Sequence, residues 1–136
     1  MGNALYDKGR KKFLDGDIDW LNDDIKVCLI DVADYTVDLA ADEFLDDISG
    51  DAIVATSGNL GTKSSTAGVA DAEDVTLSAV SGDVCEAIVV YKDTGNAATS
   101  PLICYIDTPT SGLPVTPNGG DIIIQWDSGD NKIFKL

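Results

Sequence analysis

Asp15, Asp17 and Asp19 occupy alternate positions, the spacing with which an EF-hand loop opens around Ca²⁺. Such a loop needs glycine at its sixth position for a sharp turn and glutamate at its twelfth as a bidentate ligand. This chain has Trp20 and Lys26 there. The run is therefore read as alternating aspartates on the solvent face of a strand, and no metal site is assigned. The neighbouring carboxylates Asp23-Asp24 and Asp46-Asp47 are of the type that serves as general acid and base in glycoside hydrolysis. Adjacent side chains on a strand or loop point in different directions, so neither pair is assigned to catalysis. The segment Gly58-Asn-Leu-Gly61-Thr-Lys63-Ser-Ser lacks the GxxxxGK[ST] spacing that cradles phosphate and is read as a strand-connecting turn. The chain has no histidine, which excludes Ser-His-Asp, Cys-His and His-ligated metal chemistry. No catalytic residue, cofactor or metal is expected, and the sequence reads as that of a non-enzymatic protein.

Cys28, Cys85 and Cys104 each lie in an apolar stretch. An odd count without CxxC spacing describes neither a disulfide framework nor a zinc site. The expectation is free, buried thiols packed as small hydrophobes, with one bridge plus one free thiol as the alternative. Trp20, Tyr91, Tyr105, Trp126 and Phe134 fall in separate segments and are read as core, not as a stacking platform.

Charge narrows the partners. Nine basic and 24 acidic side chains give a net charge of −15. This argues against wrapping nucleic acid, which is held by Lys and Arg. The exception is a basic cluster near the start, Lys8, Arg10, Lys11 and Lys12. These belong either to an amphipathic helix whose lysines lie over the body of the protein or to an arm that docks on a neighbouring subunit or an acidic partner. They are the candidate docking residues. The first residues lack the charged-then-apolar order of a signal peptide, and no apolar run approaches the roughly 18 residues needed to span a bilayer. The expectation is a soluble protein made in the cytoplasm, without a membrane partner. Gly2 is not read as a myristoylation site, because Tyr6 stands where Ser or Thr is wanted.

The elements that must position these residues follow from periodicity. Asn3 has the side chain of an N-cap, Leu5, Tyr6, Phe13 and Leu14 recur on one helical face, and Gly16 is a stop signal. A helix is predicted over 3–15, weakened by Gly9 at its centre. The period then changes to two across Asp17–Trp20, and Ile25–Ile30 reads as a strand buried on both faces. Residues 35–48 read as a surface excursion with one helical turn near Glu43. Further strands are expected at Ala52–Thr56, Gly68–Ala70, Val75–Val80, Cys85–Lys92, Leu102–Asp107, Asp121–Trp126 and Lys132–Leu136, with all four prolines in loops. About eight short strands imply one β-rich domain over 1–136, an antiparallel β-sandwich or jelly roll with a short N-terminal helix. The Asp-Ser-Gly-Asp-Asn run at 127–131 suggests that the last two strands pair with each other. That pairing would lock Gly112–Leu136 into the framework and leave the basic helix free to reach a partner.

Across most of its length the chain resembles small virion structural proteins of tailed bacteriophages. The resemblance is carried by Ala4-Leu-Tyr-Asp-Lys-Gly-Arg10, Phe13-Leu-Asp-Gly-Asp-Ile-Asp-Trp20, Asp24-Ile-Lys-Val27, Asp34-Tyr-Thr-Val-Asp38, Tyr91-Lys-Asp-Thr-Gly95 and Gly112–Leu136. It implies a capsid decoration or cement protein that stabilises the head, located in the virion after synthesis in the host cytoplasm. Its implied partners are the major capsid protein or another virion protein and further copies of itself, a trimer being favoured. A tail or head-fibre subunit is the alternative, and a carbohydrate-binding module a more distant one.

Overall fold

The computed structural model describes residues 3–108, 112–126, 129 and 132–136. The longest strands form where apolar residues run without interruption. These are β2 (Ile25–Ile30), β7 (Ala87–Lys92) and β8 (Leu102–Ile106), nearly all of whose residues are buried. With β1 (Ala4–Leu5) and β3 (Ile53–Thr56) they make a five-stranded antiparallel sheet in the order β1-β8-β7-β2-β3. β4 (Ser64–Thr66), β5 (Val69–Asp71) and β10 (Phe134–Lys135) form a three-stranded sheet in the order β10-β5-β4, and β6 (Val75–Leu77) pairs with β9 (Ile122–Ile124). The fold is mainly β, antiparallel and sandwich-like, with one short α-helix among the described residues, α1 (Asp7–Leu14).

Side-chain alternation explains why the central strands are apolar on both faces. Ile25, Val27 and Leu29 of β2 join Ile88 and Val90 of β7 on one face, against Ala70, Leu77, Ile124 and Phe134 of the smaller sheets. Cys28 and Ile30 join Ala87, Val89 and Tyr91 on the other, against Tyr35, Ile48 and Ala52. Each fully buried aliphatic side chain contributes about 1.5–3 kcal/mol. The excursion over 35–48 does contain a helical turn, a 3₁₀ turn at Leu45–Asp47. It is nevertheless more than a surface loop, because its apolar residues close the second face of the main sheet.

Several expectations are corrected. Asn3 does not cap a helix. Its side-chain oxygen accepts the backbone N–H groups of Asp107 and Thr108 at 3.0 and 2.9 Å, and β1 precedes the helix. Tyr6, in extended conformation, is the residue before α1, and the Arg10 N–H bonds its carbonyl at 3.0 Å. Asp7 in the first turn and Lys11 and Lys12 in the last complement the helix dipole. The helix ends as expected at Asp15 and Gly16, whose φ of +81° favours glycine. Leu14 is not on the buried face but 84% exposed.

Gly9 is buried, and a Cβ built on it would fall under 3.0 Å from the Leu102 carbonyl oxygen and 3.3 Å from Ile103 Cα. The residue that weakens the helix in isolation is thus what lets α1 lie directly on β8.

The alternating aspartates are not on a strand. The Asp19 carboxylate accepts the Leu21 and Asn22 N–H groups at 3.1 and 3.3 Å, so the residues before β2 form a capped turn. The Gly58–Ser65 segment ends in a strand, β4, that periodicity does not reveal. The final hairpin does not form among the described residues, and its expected turn at 127–131 lies, apart from Gly129, outside them. β9 pairs with β6 and β10 with β5, so the end of the chain lies in a sheet but not beside the strand that precedes it.

Candidate functional site

The candidate docking residues all lie on α1, which is held against β8 by the close approach at Gly9 and by the Tyr6 N–H to Ile103 carbonyl bond of 3.0 Å, and against the 35–48 excursion by the Asp7 N–H to Leu39 carbonyl bond of 2.9 Å. The segment 43–45 runs beside the start of β8, bonded through Leu102 N–H to Glu43 O and Leu45 N–H to Ser100 O, both 2.9 Å. This places Glu43 next to the helix. Lys12 Nζ lies 3.0 Å and Lys8 Nζ 3.6 Å from its carboxylate, and the Lys12 ammonium also sits 5.0 Å from the centre of the Phe44 ring. Hydrogen bonding to Lys12 holds the Glu43 carboxyl below its ordinary range. Lys11 pairs with Asp15 one turn on along its own helix.

Of the four candidates, three are therefore engaged within the chain, and Arg10 makes no ion pair among the described residues. Elsewhere Lys26 pairs with Asp93 at 2.8 Å, Lys92 with Asp23 at 3.1 Å, and Lys63 donates to the Asp23 carbonyl. Arg10 instead lines a groove of about 280 Å³ with Leu5, Leu14, Lys135 and Leu136. Lys135, like Arg10, makes no ion pair among the described residues. The surface has a buried leucine floor, two exposed leucines and two cations.

The chemically distinctive residues elsewhere are consumed in packing. Cys28, Cys85 and Cys104 are free and buried, so no bridge forms. Burial pushes the Cys28 and Cys104 thiols up to about 12 and Cys85 to about 11, which keeps them protonated and poor nucleophiles at neutral pH. The Tyr35 hydroxyl donates to Asp42 Oδ2 at 2.6 Å, leaving the Tyr6 hydroxyl, 2.9 Å away, to donate to Tyr35. Burial raises both phenols above their ordinary range, and the arrangement satisfies polar groups inside the second core cluster.

Trp20, Tyr91, Tyr105 and Phe134 are core residues as expected. Trp126 is only half-buried at the core's edge, its indole N–H bonded to the Glu73 carbonyl at 3.0 Å.

Sequence reasoning missed one acidic cluster. Asp31, Asp34 and Asp83 bring carboxylate oxygens within 4.8 Å of one another. Three carboxylates are a donor set for a hard cation, but Asp34 and Asp83 are exposed, and Asp31 already accepts the Ala33 N–H at 3.0 Å. No spacing in the sequence marks this cluster, since the fold alone brings Asp83 to the other two. The Asp15, Asp17 and Asp19 run gathers no ligand set among the described residues, because Asp15 serves Lys11 and Asp19 caps its turn. Among the described residues no helix is long and apolar enough to cross a membrane. No protein-family model matches the chain, and no curated protein matches it.

Proposed function

We propose that this chain is a non-enzymatic structural protein of a tailed-bacteriophage particle, and specifically a decoration or cement protein fixed to the capsid by protein–protein contacts. One observation carries the reading. The three thiols and the Tyr6–Tyr35 pair are spent in the core, while the α1–β10 face presents leucines and two cations that make no ion pair among the described residues, a surface suited to adhesion. A net charge of −15 supports a position away from packaged DNA, which repels such a surface. The two-sided core supports a rigid building block, and the resemblance over α1, β2 and Gly112–Leu136 supplies the kind of particle.

The test is addition of the purified protein to capsid shells that lack it, followed by co-sedimentation and thermal melting of the shells. The reading predicts saturable binding and a higher shell melting temperature. Protein that stays in the supernatant at all ratios overturns it. Capture by isolated tails but not by shells would move the protein to the tail or head-fibre position.

A further inference from the structure

We infer that the groove between α1 and β10 is a contact surface for a second copy of this chain, whose acidic Leu21 turn fills it. The inference rests on reading the chain as an assembling module and names what one of its surfaces takes.

A single exposed leucine is unremarkable on any protein surface. Here Leu14 and Leu136, 84% and 54% exposed, flank the buried Leu5 in one groove. The same groove holds Arg10 and Lys135, two cations that make no ion pair among the described residues of a chain with 24 acidic side chains. Its occupant must therefore bring an apolar side chain among carboxylates.

The chain itself carries such a surface. Leu21 is 49% exposed on the turn that precedes β2, between Asp17 and Asp24, whose carboxylates make no ion pair among the described residues. The turn is pre-shaped. Asp19 accepts the Leu21 and Asn22 N–H groups and, at 2.7 Å, the Asn22 side-chain amide. Trp20, buried beneath it, donates its indole N–H to Ser64 O at 3.1 Å. A turn already ordered loses little conformational freedom on binding.

Groove and turn also lie at the same end of the molecule. The Phe134 ring on β10 meets Phe13 of α1 at 5.8 Å and Trp20 at 5.3 Å between centroids. Neighbouring complementary patches suit a two-fold interface, in which each copy's groove receives the other's turn, so this contact makes a dimer where the resemblance favoured a trimer. Long-range repulsion between two acidic copies is screened beyond roughly 8 Å at physiological salt, whereas contacts between Arg10 or Lys135 and the aspartates fall within that range.

Sedimentation velocity over a concentration series tests this on the intact chain, with Leu14→Ser as groove variant and Leu21→Ser as turn variant. Both positions are exposed, and circular dichroism checks that each variant folds. The wild type is expected to dimerise, and each variant to dimerise roughly tenfold or more weakly. An equimolar mixture of the two restores one intact groove–turn contact per pair, so native mass spectrometry should show the mixed dimer well above its share under random pairing, about half of all dimers. A monomeric wild type, or a dimer indifferent to both substitutions, overturns the inference. A monomeric wild type that still binds capsid shells overturns the pairing alone and leaves the proposed function standing.

Discussion

Replacing Gly9 with alanine separates intrinsic helix preference from packing. In an exposed helix the substitution stabilises by about 1 kcal/mol. At Gly9 the added methyl would fall under 3.0 Å from the Leu102 carbonyl oxygen and 3.3 Å from both Ile103 Cα and its carbonyl oxygen. These are backbone atoms of β8, which is hydrogen-bonded on both sides by β1 and β7, so they have little room to yield. The helix must lift instead, loosening Phe13 against Phe134 and Lys12 against Glu43. Overpacking of this kind costs about 1–3 kcal/mol. An immovable strand puts Gly9 at the upper end, and subtracting the propensity gain leaves a net loss of about 2 kcal/mol. In urea unfolding, with a slope of about 2 kcal/mol/M, the midpoint should fall by about 1 M. Gly50→Ala is the control, since a Cβ there meets nothing within 4 Å. A Gly9→Ala protein as stable as wild type, or more so, would refute the close approach of α1 to β8.

The two tryptophans should differ in weight. Trp20→Ala removes a buried ring and is expected to cost about 3–5 kcal/mol, whereas Trp126→Ala, at the core's edge, should cost clearly less; equal melting-temperature losses would contradict this placement. The buried thiols should resist iodoacetamide at pH 8 in the native state and react on unfolding, as read by mass spectrometry. Their raised values also predict alkaline destabilisation, with stability intact below the ordinary thiol value of 9.0 and lost as pH rises towards 11–12. Asp47 behaves oppositely. The Glu43 and Phe44 N–H groups hold its carboxyl below the ordinary 3.8, so its contribution is present above that pH and lost as pH falls through the depressed folded value. Asp47→Asn should therefore flatten the acid limb of a stability–pH profile, and an unchanged limb would count against the bonds.

The long central strands were legible in the chain, unlike the short β1 and β4, but strand partnership was not. Ile25–Ile30 announces a strand buried on both faces, because an uninterrupted apolar run of that length has few other uses. Periodicity says nothing of which edges meet. The neighbouring segments at the end of the chain looked like a hairpin, yet Phe134 pairs with Ala70 and Ile124 with Val75. The alternation at Asp17–Trp20 misled for a different reason, since aspartate caps backbone turns as readily as it faces solvent on a strand.

In the docking cluster, four cations of one helix look equivalent in sequence. Only the fold brings Glu43 beside Lys8 and Lys12 and sets Lys135 beside Arg10. Asn3 likewise has the side chain of a helix cap, and a loop more than a hundred residues away claims it.

The most direct measurement of the proposed role is quantitative mass spectrometry of purified phage particles produced from a genome that encodes this chain. A capsid decoration protein should be present at a copy number of the same order as the major capsid protein and should persist in tail-less heads. Absence from purified particles, or recovery only with detached tails at a few copies per particle, would contradict the account.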